Sequence, residues 1–97
     1  MNMESLMAQA QSLQTKINEA QDSLAQKHVK GIGGNGGVII DMTGKYDVEN
    51  VTINPNIMTM NAQTVSEMVL AAYKDAKEKA DTLIENVMNE ITGGMPE

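Results

Sequence analysis

The chain has 97 residues, a formal charge of −6, no cysteine, no arginine, and Tyr46 and Tyr73 as its only aromatics. That excludes a disulfide framework, a thiolate metal site and the stacked aromatic platforms of single-strand nucleic-acid binders. With no Phe or Trp and nine Met, flexible side chains replace rigid core fillers, and one small domain over residues 1–97 gains from burying surface against a partner. The N-terminus MNMESLM lacks a basic lead-in and no apolar run spans a bilayer, so a cytoplasmic protein is expected.

Met3, Leu6, Ala10, Leu13, Ile17, Ala20 and Leu24 alternate steps of three and four. This is a heptad seam, and it predicts a helix that keeps one stripe against another helix for about three heptads. Flanking glutamines leave the partner open, within the chain or in a second copy. After Gln26 the run Lys27 to Ile32 alternates and predicts a first strand.

The centre of the sequence is GIGGNGGVIIDMTGKYDVENVTINP, residues 31–55. Asn35-Gly36 suits a tight primed hairpin turn, and Thr43-Gly44-Lys45 suits a second reversal before Tyr46. Val38, Ile40 and Met42, then Val51 and Ile53, carry the two-residue period of strands with one buried face. Tyr46 and Val48 fall on the other parity from Val51 and Ile53, which predicts a bulge near Glu49-Asn50. Asn54-Pro55 ends the third strand.

A second long helix starts at Asn61 or at Thr64, the latter with Glu67 at capping-box spacing. Val65, Val69, Ala72, Ala76, Ala80, Leu83, Val87 and Ile91 form its apolar stripe, and Gly93-Gly94 stops it. The fold class is therefore α+β: a long N-terminal helix, a three-stranded antiparallel meander and a long C-terminal helix. Leu6, Leu13, Ile17, Leu24, Val69 and Leu83 are the expected helix-packing or dimer-seam positions.

Candidate chemistry thins out on inspection. GIGGNGG is followed by a strand rather than a helix and has no Lys-Ser/Thr pair, so hairpin glycines explain it better than a phosphate loop. His28 has no cysteine or second imidazole to share a metal with. Asp75, Glu78 and Asp81 are interleaved with Lys74, Lys77 and Lys79, which reads as a solvated mixed-charge face. No cofactor, metal site, catalytic residue or small-molecule substrate is expected, and the chain does not read as an enzyme.

The helix LMAQAQSLQTKI, the glycine hairpin ending in Gly37-Val38, Gly44, the strand end Val51-Thr52-Ile53-Asn54-Pro55, the run MVLAAYKDA at 68–76 and the closing Gly93-Gly94-Met95-Pro96 together resemble the YbaB/EbfC family of nucleoid-associated proteins. The resemblance covers nearly the whole chain. It implies an intertwined homodimer whose paired helices project like tweezers and bind double-stranded DNA in the nucleoid, for chromosome organisation or gene regulation. By position it assigns phosphate contact to Lys16, Lys77 and Lys79.

Charge distribution adds Lys27 and Lys30. Residues 1–30 are neutral and hold Lys16, Lys27 and Lys30, whereas residues 61–97 carry seven acids against three lysines. A DNA site has to gather its lysines on the neutral part. The acidity also frames an alternative: a protein-interaction or assembly module of the same fold with little DNA affinity.

Overall fold

The computed structural model describes residues 2–93. Helix α1 spans Met3–Gln26, strands β1, β2 and β3 span His28–Gly33, Val38–Thr43 and Val48–Ile53, and helix α2 spans Ala62–Gly93. The sheet is antiparallel in the order β1-β2-β3. Gly94, expected to help stop α2, lies outside the described residues.

Local chemistry sets each boundary. The Asn2 side chain accepts the Glu4 amide at 3.0 Å and opens α1; the Asn61 side chain accepts the Thr64 amide at 2.8 Å and opens α2. Asn61 is thus the cap, and Thr64 is already helical. At the first hairpin the Gly37 amide donates to the Gly34 carbonyl at 3.1 Å, with Asn35 at φ 56 and Gly36 at φ 95. These are the positive angles of a primed turn.

At the second hairpin the Thr43 hydroxyl accepts from the amides of Lys45 and Asp47, both at 3.2 Å. Tyr46 takes φ 67 there, so it is a turn residue and β3 starts only at Val48. The expected bulge is present: Asp41 pairs with Asn50 and Met42 with Val48, leaving Glu49 as the extra residue.

One sheet face carries Val38, Ile40 and Met42 of β2, all buried. Their partners on β1 are Gly33, Gly31 and Val29. Two glycines on that face let α2 descend onto β1. A Cβ at Gly31 would stand 2.0 Å from the Ala72 carbonyl oxygen and 2.5 Å from the Ala76 Cβ, and one at Gly33 would stand 2.1 Å from the Met68 carbonyl oxygen. Ala72, Ala76 and Ala80 are fully buried in this contact.

Because α2 is drawn over β1 and β2, it leaves β3 uncovered. Val48, Val51 and Ile53 sit on the same face, opposite Met42, Ile40 and Val38, yet remain 45%, 46% and 41% exposed. The alternation of β3 marks an apolar row, as expected. Among the described residues, however, nothing buries it.

A second core joins the far half of α2 to α1, through Ala20, Leu24 and Val87 with Leu83, Ile84 and Ile91 around them. The seam of α1 is covered progressively: Leu24 and Ala20 are buried, Ile17 and Leu13 half-buried, and Leu6 and Met3 exposed. Val69 belongs to the other core, against the sheet rather than along α1. The result is a rod of 68 × 21 × 15 Å with a radius of gyration of 19.2 Å, where a compact chain of this length gives about 12–13 Å.

Replacing Gly31 with Ala forces a methyl into backbone. We expect a loss of about 2–3 kcal/mol or more in urea unfolding, at the upper end of overpacking costs.

Candidate nucleic-acid interface

The helix pair α1–α2 projects from the sheet as an arm, and its side carries a place where the side chains of two of the expected lysines line one groove. Lys16 lies on α1, and Lys27 is the extended residue that caps its C-terminus. Both line a groove of about 320 Å³ floored by Ala20, Val87 and Ile91. Glu19 and Glu90 line the same groove. Acid thus sits beside the two lysines, and Glu90 is a neighbour that only the tertiary fold brings there.

Lys30 and Lys79 come together elsewhere, at the outer edge of β1. The Lys79 ammonium donates to the Lys30 carbonyl oxygen at 2.7 Å and pairs with the Asp75 carboxylate at 2.9 Å. Asp75 in turn accepts the Ile32 amide at 2.9 Å. Lys79 is committed to this structural arrangement, whereas the Lys30 side chain stays exposed on β1 and Lys77 exposed on α2. The five lysines do not form one patch.

Asp75 and Asp81 differ from the solvated face expected of them. Asp75 reaches β1, and Asp81 accepts a hydrogen bond from the Tyr46 hydroxyl on the β2–β3 turn. The two carboxylates grip opposite flanks of α2, so their spacing of three builds no shared site with Glu78. Among the described residues no group of three His, Asp or Glu could hold a metal ion. An i,i+4 Asp-Lys pair beside an alternating strand was the available signal for Asp75 and Lys79.

Their electrostatics follow from these bonds. The Lys79 ammonium, then the Ile32 amide, hold the Asp75 carboxyl below its usual range. The bond to Asp81 raises the Tyr46 hydroxyl above its usual value.

A long helix, a three-stranded meander and a second long helix paired into an arm define the class. The sequence profile of the YbaB/EbfC DNA-binding family matches residues 1–95. The chain is 40% identical to a nucleoid-associated protein of Bradyrhizobium diazoefficiens over 91 residues, covering 93% of this chain and 86% of the relative. It is 39% identical to a nucleoid-associated protein of Corynebacterium jeikeium over 95 residues, covering 97% and 91% respectively. It is 34% identical to one from Chloroflexus aggregans over 96 residues, covering 98% and 96%.

The crystal structure of an uncharacterized protein from Helicobacter pylori superposes with a TM-score of 0.68, covering 81% of this chain and 93% of that one at 10% identity. That likeness shows the fold. On the sequence matches, the chain belongs to the YbaB/EbfC DNA-binding family, which is not enzymatic. No described helix is long and apolar enough to cross a membrane.

The depressed Asp75 value carries a sign. A carboxylate stabilised in the fold contributes above its unfolded range, and the contribution is lost as pH falls through the lower folded value. Acidification of the wild type should therefore lower the protection of the Ile32 amide, measured against its intrinsic exchange rate at each pH. Asp75→Asn should show fast exchange at Ile32 already at neutral pH, with that acid dependence removed.

Proposed function

We propose that this chain acts as a nucleoid-associated homodimer that binds double-stranded DNA through lysine–phosphate contacts, in chromosome organisation or gene regulation. Its relatives are named for the nucleoid, and that location is part of the reading. The observation that carries the binding site is the convergence of Lys16 and Lys27 on one side of the projecting arm. Phosphate contact with counterion release gives most of the affinity of such proteins and needs no arginine, only cations held at a spacing the backbone can meet.

Lys30 and Lys77 add exposed charge at the base of the arm and on α2. Lys79 contributes least to DNA, because Asp75 and the Lys30 carbonyl hold its ammonium. A homodimer doubles the number of phosphate contacts and gives the uncovered β3 row a place to go. It also doubles the charge of −6, so binding of this kind is moderate and strongly dependent on salt.

A second reading is favoured by a specific observation. Glu19 and Glu90 share the groove with Lys16 and Lys27, which lowers the positive potential available to a phosphate. On that reading the same fold serves as a protein-assembly module with little affinity for DNA.

Anisotropy of a labelled duplex at about 50 and 200 mM salt separates the two. Four phosphate contacts per dimer, from Lys16 and Lys27 of each chain, correspond to an affinity loss of about a hundredfold across that window. Lys16→Gln with Lys27→Gln should weaken binding and flatten the salt dependence, while Lys79→Gln changes it little. Absence of binding at 50 mM salt overturns the DNA reading and leaves the assembly module.

A further inference from the structure

The chain has no cysteine and nine methionines, so its sulfur chemistry is that of thioethers alone. Peroxide converts a thioether to a sulfoxide, which replaces an apolar, flexible group by a polar one. Where that exchange falls decides whether it harms the fold. Met42 is fully buried on the inner face of β2, and Met68 packs against the same core and lies close to Gly34. A sulfoxide at Met42 puts an unpartnered acceptor among apolar side chains, which the packed fold resists.

At the other extreme are Met3, 74% exposed, Met58, 67%, and Met7, 58%. Met58 lies in the short 3-10 turn Pro55–Thr59 and Met60 caps it, and residues two apart do not face each other as i,i+4 residues do. Met3 and Met7 share one surface. Spaced i,i+4 on α1, they stand one above the other with Cβ atoms about 5–6 Å apart. Leu6, 43% exposed, joins them on that face. This is the end of the heptad seam that α2 leaves uncovered, and neither methionine belongs to either core.

We propose that Met3 and Met7 form a reversible sulfoxidation site at the tip of the arm, where hydrogen peroxide turns the exposed end of the seam polar and leaves the rest of the fold intact. At each residue the thioether sulfur attacks one peroxide oxygen. A sulfur–oxygen bond forms, the oxygen–oxygen bond breaks, and the displaced hydroxide takes the proton of the transferred oxygen and leaves as water. The sulfur gives up two electrons and the peroxide accepts them. Reversal needs a dithiol: a methionine sulfoxide reductase restores the thioether, the sulfoxide oxygen leaves as water, and the dithiol becomes a disulfide.

The position suits both directions. Water already surrounds the two sulfurs, so peroxide reaches them without any opening of the fold. A reductase meets the sulfoxides on a helix end that unwinds locally while Ala20 and Leu24 stay packed. Neither methionine lines the groove of Lys16 and Lys27, so the site is separate from the lysines assigned to DNA.

The test treats the full chain with dilute hydrogen peroxide and assigns oxygen to each methionine by tandem mass spectrometry. Met3 and Met7 should oxidise about tenfold faster than Met42. Helical circular dichroism should be kept and retention on a hydrophobic-interaction column should fall. A methionine sulfoxide reductase with dithiothreitol should restore both mass and retention. Met3→Leu with Met7→Leu keeps the apolar face and the helix propensity, so peroxide should barely move its retention. Were that variant to fold poorly, the site-resolved rates and the repair of the wild type decide. Oxidation of Met42 as fast as the tip, loss of helix when only Met3 and Met7 are oxidised, or sulfoxides that the reductase leaves in place overturn the proposal. An equal fall in retention in the double variant also overturns it, and assigns the change to Met58 and Met60.

Discussion

The close approach of α2 to β1 governs the rest of the molecule. Gly31 and Gly33 present bare backbone where every other position of that face presents a side chain, and Ala72 and Ala76 answer with the smallest side chain a helix can carry. Backbone-to-backbone packing at this distance admits no Cβ, so the position of α2 is fixed on one side of a three-strand sheet. The arrangement buries the inner face of β2 and leaves that of β3 exposed. A helix centred on the sheet, with larger residues at 31 and 33, would cover β3 and leave no apolar row.

Polar contacts reinforce the same placement from both flanks of α2. Asp75 and Lys79 hold β1 along its edge, and Asp81 holds the β2–β3 turn through Tyr46. These bonds draw charge away from any DNA surface. Lys79 neutralises Asp75 at 2.9 Å, and the cations that remain for a phosphate are spread over α1, its C-terminal cap, β1, the β2–β3 turn and α2. An acidic second helix is thereby compatible with a basic function elsewhere, since its acids and lysines are partly absorbed in fastening it.

Much of the fold is legible in the sequence because its signals are local. The primed turn at Asn35-Gly36 and the parity slip at Glu49 depend on neighbours a few residues away and are found where the pattern places them, while the 3.5-residue seam marks helix α1 but is covered only toward Leu24. The start of α2 is ambiguous in sequence because Asn61 and Thr64 are both competent caps; the bond from the Thr64 amide decides it. Tyr46 is misplaced because its parity with Val48 suggests a strand, while its backbone takes a left-handed angle, its amide donates to the Thr43 carbonyl and its hydroxyl donates to Asp81. Burial is the level at which the pattern misleads. Alternation marks Val51 and Ile53 as one face but is silent on whether the chain itself supplies the cover. The site is less legible: Lys27 follows the last turn of α1 in extended backbone, so its place beside Lys16, like Glu90 and the engagement of Lys79, arises from the tertiary fold.

The graded burial of α1 has a thermodynamic consequence. Opening near Leu24 exposes a packed helix pair, while opening near Met3 exposes almost nothing that is not already in water, so local unfolding free energies fall steadily from the sheet toward the N-terminus. The arm is a stiff root with a pliant tip. The sheet can remain unchanged while the tip, Met3 to Ala10, frays and re-forms.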